Sequence, residues 1–323
     1  MGLLSSIESI FPILVLIALG YVLRGRGMFN DTFSGNLSKF ILQIALPAGI
    51  FVSVIHHLDI AAIWSLRASF LFVLASFILG YVLAYILMKV LNIQRGRKGA
   101  FINMVVNDNC LFIGLPVQMA LFGEEAFPFF LLYYIMNTLS LWMVGIFFID
   151  ADPLLDEDKK PGVAVSWKKL LPPPMIGFII AIIVLIFSIS VAPIITKTLD
   201  YLGNMVTPLS LVYIGIVLRD TGLSSIRLNK DTIGGLFGRF IITPMGMIGV
   251  LYVGVQYMSL PMSSLEFQTY VIQSATPVAA VLPILVNEGK GDLPYATSLV
   301  TLSTVLFIIV IPLYMQLLAV LGL

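Results

Sequence analysis

Charge is scarce in this chain. Asp, Glu, Lys and Arg make up 11% of its 323 residues, where a soluble domain carries about 25%. That shortage excludes an ordinary water-soluble globule. Cysteine occurs once, at Cys110, which rules out an internal disulfide framework, a thiolate cluster and a CxxC redox pair. Histidine occurs only at His56 and His57, adjacent at the end of an apolar run, where an interfacial loop is expected rather than a metal pair. HExxH, GxSxG, a phosphate-cradling glycine loop and paired acids are all missing. No enzyme, metal, cofactor or nucleic-acid partner is therefore expected.

What the chain has instead is apolar length. Apolar residues make up 59% of it and the mean hydropathy is +1.04. A window of about 20 apolar residues, the length that crosses a bilayer, gives ten predicted spans: residues 6–23, 37–55, 68–90, 98–121, 126–148, 172–192, 201–218, 232–257, 264–286 and 295–321. The fold class expected is an all-α membrane protein. Residues 1–149 form a first five-helix repeat, 150–171 a polar linker, and 172–323 a second repeat. The first apolar run has no basic residue before it and two, Arg24 and Arg26, after it. It is expected to remain as a span rather than to be cleaved as a signal. With that loop placed inside, fifteen basic residues fall on the inner side and only Arg67 and Lys197 on the other. By the positive-inside rule both termini are outside and the linker is cytoplasmic.

Prolines repeat at one spacing. Pro12 and Pro173, Pro47 and Pro208, and Pro116 and Pro277 each lie 161 residues apart, in the first and sixth, second and seventh, and fourth and ninth spans. Five spans per half turn the second half upside down. An inverted repeat with interrupted helices is the pattern of secondary transporters.

The two interruptions carry the chemistry. Asn107, Asp108 and Asn109 sit near mid-depth in the fourth span, ahead of Gly114 and the expected breaker Pro116. Gln273, Ser274, Thr276 and the breaker Pro277 sit at similar depth in the ninth. Lipid cannot satisfy broken backbone, so these segments must face protein or a wet cavity. If they cross, half-helix N-termini and the amides of Asn107, Asn109, Gln273 and Asn137, with the hydroxyls of Ser274 and Thr276, suit a small organic anion. Packing between helices is the competing role for these amides. Asp108 is the candidate for carrying a coupled proton or contacting a coupling ion. Arg239, about eight residues into the eighth span, would pair with Asp108, meet the substrate, or reach back to the headgroups.

Read in order, these motifs resemble the auxin efflux carrier family, the bacterial relatives of the plant PIN-formed carriers. Leu19-Gly20-Tyr21 precedes Arg24 and Arg26, and Leu37-Ser38-Lys39-Phe40 leads to Ala45-Leu46-Pro47. Asn109 runs to Gly114-Leu115-Pro116, followed by Leu121-Phe122-Gly123. Pro208-Leu209-Ser210, Ile214-Gly215, Arg239-Phe240 and Gln273-Ser274-Ala275-Thr276-Pro277 complete the series. The resemblance implies a fold like the bile-acid sodium symporters and, as a rule, a homodimer. It implies a scaffold of helices 1, 2, 6 and 7, and a transport bundle of helices 3–5 and 8–10 that moves like an elevator. It also implies a crossing at Asn109 and Pro277, and organic-anion substrates such as auxins or dicarboxylates, carried across the cell membrane by alternating access. This chain departs from the plant pattern at Asp108, where plant carriers have proline. A sodium-coupled carrier of the bile-acid type and a non-transporting sensor on the same fold are the alternatives.

Overall fold

A computed structural model describes residues 3–30, 32–57, 66–155, 173–221, 228–259 and 261–322. The acidic run of the linker, residues 156–158, lies outside the described residues. Those described are helical, with no strand among them; the only extended pairing is an isolated bridge, treated below. By length and composition, six helices can cross a membrane: Phe33–His56, Arg67–Val90, Glu124–Asp150, Pro193–Asp220, Lys230–Tyr257 and Leu293–Val320. Shorter apolar helices are Leu14–Gly25, Cys110–Phe122 and Pro173–Ile186.

In chain order the helices are α1 (Leu3–Gly25), α2 (Phe33–Phe40), α3 (Leu46–His57), α4 (Arg67–Val90), α5 (Lys98–Val106), α6 (Leu115–Phe122), α7 (Phe127–Leu139), α8 (Ile146–Asp150), α9 (Pro173–Ile186), α10 (Pro193–Asn204), α11 (Val206–Thr221), α12 (Lys230–Phe237), α13 (Thr243–Tyr257), α14 (Ser264–Ser274), α15 (Leu282–Glu288) and α16 (Leu293–Val320). His56 and His57 close α3 instead of lying in a loop. The polypeptide re-enters helix at Pro193, eight residues ahead of the predicted seventh span.

Of four wide π-helical turns, Ile41–Ala45, Ser140–Gly145 and Gly238–Ile242 join helices end to end, and Cys110–Gly114 opens the helix that continues as α6. Three of the four stop two residues before a proline, at Pro47, Pro116 and Pro244. Proline lacks an N–H and collides with the carbonyl four residues back. A widened turn relieves both problems without ending the helix. Pro116 is therefore not a breaker, contrary to the sequence expectation: the chain runs through it from the π turn into α6.

Three helix starts are capped. Asn229 accepts from Thr232 N at 2.9 Å, Ser263 from Glu266 N at 3.1 Å, and Asp292 from Tyr295 N at 3.0 Å, each supplying an orphan amide at a helix N-terminus.

Helix α1 packs along α11, and α3 packs against α9 and α10. One apolar core joins α4, α5, α7, α13, α14 and α16 through Phe101, Val105, Tyr133, Phe240, Tyr270 and Phe307. A second, around Ile41, Leu46, Ile50, Phe130 and Ala181, ties α3 and α9 to α7. A third, around Met104, Leu141, Val278 and Leu282, lies beneath the two interruptions.

The α1–α11 contact is backbone on backbone. A Cβ on Gly20 would fall 2.1 Å from Val212 O, and one on Gly215 would fall 2.0 Å from Ile17 O. Close approach through small residues replaces the hydrophobic effect as the adhesive between helices in lipid. Gly215→Ala is expected to cost about 1–3 kcal/mol by overpacking, read as a lower melting temperature in detergent. Gly249→Ala, where a Cβ meets nothing within 4 Å, should leave it unchanged or slightly higher. Equal melting of wild type and Gly215→Ala would show that the two backbones do not touch.

Candidate functional site

Helix α5 ends at Val106, and Asn107 turns extended at φ −101°, ψ 131°. Helix α14 ends at Ser274, and the chain stays non-helical to Val281. The two gaps meet. Asp108 and Val278 form an antiparallel bridge, in which Asn109 N donates to Pro277 O at 2.8 Å and Ala279 N to Asn107 O at 3.4 Å. In such a pair the groups of the central residues point outward, away from the partner. Asn137 of α7 meets those of Asp108: its Oδ1 accepts from Asp108 N at 3.1 Å and its Nδ2 donates to Asp108 O at 3.0 Å. Ser303 Oγ of α16 accepts from Val278 N at 3.3 Å.

Beyond the gaps the chain turns helical again. Asn109 Oδ1 caps the π turn by accepting from Phe112 N at 3.3 Å. Pro283 is the second residue of α15, as Pro116 is of α6. Pro116 and Pro283 thus hold like places at the starts of α6 and α15, and Pro277 lies in the crossing itself. The equal spacing of Pro116 and Pro277 does not reflect equivalent places.

Arg239 lies behind the crossing, 0% exposed. It does not snorkel. Its Nη1 donates to Val105 O at 3.2 Å, its Nη2 donates to Ser274 O, and Nη2 lies 3.8 Å from Asp108 Oδ2. Val105 and Ser274 are in the last turns of α5 and α14, so one guanidinium caps both C-terminal ends, where helix dipoles put partial negative charge. Tyr133 OH donates to Asp108 Oδ2 at 2.5 Å. Asp108 Oδ1 is buried and makes no hydrogen bond among the described residues.

A cavity of about 210 Å³ opens on the other side of the crossing. Asp108, Asn109, Cys110, Asn137 and Thr138 supply its polar wall, and Phe112, Tyr134, Trp142, Leu42, Pro173 and Pro174 much of the rest. Leu111, Ala280 and Val281 also line it, and their backbone N–H groups find no acceptor among the described residues. The Nδ2 of Asn109 is likewise without a partner there.

Several predicted site residues lie elsewhere. Asn107 is fully buried and saturated: Nδ2 donates to Tyr81 OH and Asn103 Oδ1, and Oδ1 accepts from Ser140 Oγ at 2.6 Å. Gln273 Nε2 donates to Gly114 O and Gln118 Oε1, joining α14 to α6. Ser274 and Thr276 turn their hydroxyls back to Val271 O and Gln273 O. Pro277 contributes its carbonyl to the bridge. None of these five lines the cavity. Sequence reasoning did not single out Tyr133 or Tyr81, because one tyrosine in an apolar run carries no mark of its partner.

Residues 5–315 match the model of the family described as membrane transport protein. An uncharacterized transporter of Methanothermobacter thermautotrophicus is 24% identical over 311 residues, covering 96% of this chain and 98% of its own length. A second, from Methanocaldococcus jannaschii, is 22% identical over 312 residues, covering 95% and 97%. With a family match of that extent, the chain belongs to the membrane transport protein family, that of the auxin efflux carriers, and is a membrane transporter.

Proposed function

We propose that this transporter carries a small organic anion by alternating access, and that the anion binds in the cavity at the crossing. The observation that carries the reading is the set of unpartnered donors on one cavity wall: Asn109 Nδ2 and the N–H groups of Leu111, Ala280 and Val281. They converge on a space that Phe112, Tyr134 and Trp142 otherwise wall with apolar surface. Convergent N–H groups near the starts of half-helices favour a carboxylate without any cation in contact with it. Arg239 is not that cation, since it is sealed behind the crossing.

In this reading ten spans form two inverted repeats, residues 1–149 and 172–323, joined by a cytoplasmic linker. Both termini lie outside, in a cell membrane, and the protein works as a homodimer. The exchange of partners supports it: α1 of the first half packs on α11 of the second, and α9 of the second on α3 of the first. The scaffold is α1–α3 with α9–α11, and the remaining helices form the moving bundle. Asp108 carries the coupled proton through Oδ1, a buried oxygen with no hydrogen-bond partner among the described residues, on a residue that lines the cavity. A sodium site has less support, because Asn107 Oδ1 and Asn137 Oδ1 each already accept a hydrogen bond.

Uptake of labelled carboxylates into proteoliposomes is the direct test, and saturable uptake is the expected result. Binding seen as a thermal shift with no flux at any pH would make the protein a sensor instead. Asn109→Ala should raise the half-saturating concentration about tenfold, as expected for a hydrogen bond to a charged group. Thr276→Ala, whose hydroxyl bonds only its own helix end, should not; equal effects would move the anion away from Asn109.

Asp108→Asn should flatten the dependence of uptake on pH. Unchanged pH dependence at normal rates would remove Asp108 from coupling. Arg239→Met should cost about 3–5 kcal/mol of stability by leaving a buried carboxylate without its cation. Adding Asp108→Asn should recover part of that loss, measured as melting temperature.

A further inference from the structure

A second and larger cavity, of about 570 Å³, lies away from the crossing, between the end of α4, the start of α5 and the end of α8. Its wall carries three cations, Lys89, Arg95 and Lys98, and among the described residues one acid, Asp152. That carboxylate is already engaged, its Oδ2 accepting from Lys98 N at 2.7 Å. The ammonium groups of Lys89 and Lys98 make no hydrogen bond or ion pair among the described residues; Lys89 rests over the Tyr85 ring, 5.5 Å from its centroid. The Arg95 guanidinium is held by its Nε, which donates to Pro153 O at 3.0 Å. We propose that this cavity binds the phosphate headgroup of an anionic phospholipid.

The ligand is an anion, because among the described residues three cations and one acid line the space. It must be larger than a simple ion, because the space is more than twice that at the crossing. Phosphate chemistry meets both needs, and α4 decides between a lipid and a soluble source. Val82, Ile86 and Val90 recur at helical spacing along α4 and are 50%, 52% and 69% exposed. They form one apolar stripe that ends beside Lys89, so acyl chains can lie along α4 while the headgroup enters the cavity. Tyr85 on the same helix suits the boundary between hydrocarbon and headgroup. Basic pockets between membrane helices on the positively charged side select anionic headgroups.

The occupant would touch the first turn of α5, the half-helix whose other end enters the crossing. The test does not depend on transport. Delipidated full-length protein in detergent is titrated with phosphatidylglycerol, with phosphatidylcholine and with inorganic phosphate, reading melting temperature and lipid retained in native mass spectrometry. Phosphatidylglycerol should be retained and should raise the melting temperature, while the other two should not. The double variant Lys89→Gln/Lys98→Gln should bind it about thirtyfold more weakly, in line with the attraction per basic residue near an anionic headgroup. Lys230→Gln, outside the cavity, should bind as wild type. Equal retention of the two lipids, or undiminished retention by the double variant, would overturn the assignment. Stabilisation by inorganic phosphate that also displaces phosphatidylglycerol would overturn the lipid source and leave a soluble anion in its place.

Discussion

Arg239 is the group on which the crossing depends. Two half-helices, α5 and α14, stop inside the protein with their C-terminal ends converging. Each end leaves carbonyls without an amide partner and adds partial negative charge. Both ends and the carboxylate of Asp108 meet one guanidinium, whose planar fork can serve several acceptors at once. Lysine, with one compact charge, could not span Val105 O, Ser274 O and Asp108 Oδ2 in the same way. The cation is as buried as the acid, so neither can be read as a surface ion pair of little consequence.

Much of the broken backbone around it is paired. Residues 107–109 and 277–279 pair with each other where a helix would have bonded each to itself. The outward groups of the central pair fall to Asn137 and Ser303, one side chain from each half of the chain. Asn107, fixed by Tyr81, Asn103 and Ser140, holds the first strand segment in register. In hydrocarbon, where every unpaired polar group costs several kcal/mol, this pairing lowers the cost of leaving two helices open.

The position of the break was legible in the sequence, because three polar residues in a row cannot lie in a spanning helix for packing alone. Its cause was not. Proline reads as a breaker when the helix is assumed to be uniform, yet a π turn absorbs Pro116 without interruption. Lipid contact, protein contact and cavity contact also look alike in a membrane sequence once a residue is polar. Asn107 and Asn109 differ by two positions and point to opposite environments, one saturated inside and one facing the cavity. Gln273, Ser274 and Thr276 were placed at the site by depth alone, and depth does not fix direction. The two roles of Arg239 needed coordinates, since its acceptors are main-chain carbonyls 134 and 35 residues away.

This division of polar groups constrains how the cavity can open. The donors that face it are backbone and side-chain N–H groups held in place by the crossing, so they need little reorganisation to meet a charge. Unravelling the crossing to admit a guest would expose Arg239, Asp108 and both helix ends together, a buried charge pair with the main-chain carbonyls it serves. The opposite wall, Leu42, Pro173 and Pro174, meets the crossing through apolar contact. Apolar surfaces slide past each other at small cost because no directional bond is broken. A conformational change that kept the crossing intact would break the fewest directional bonds along that seam.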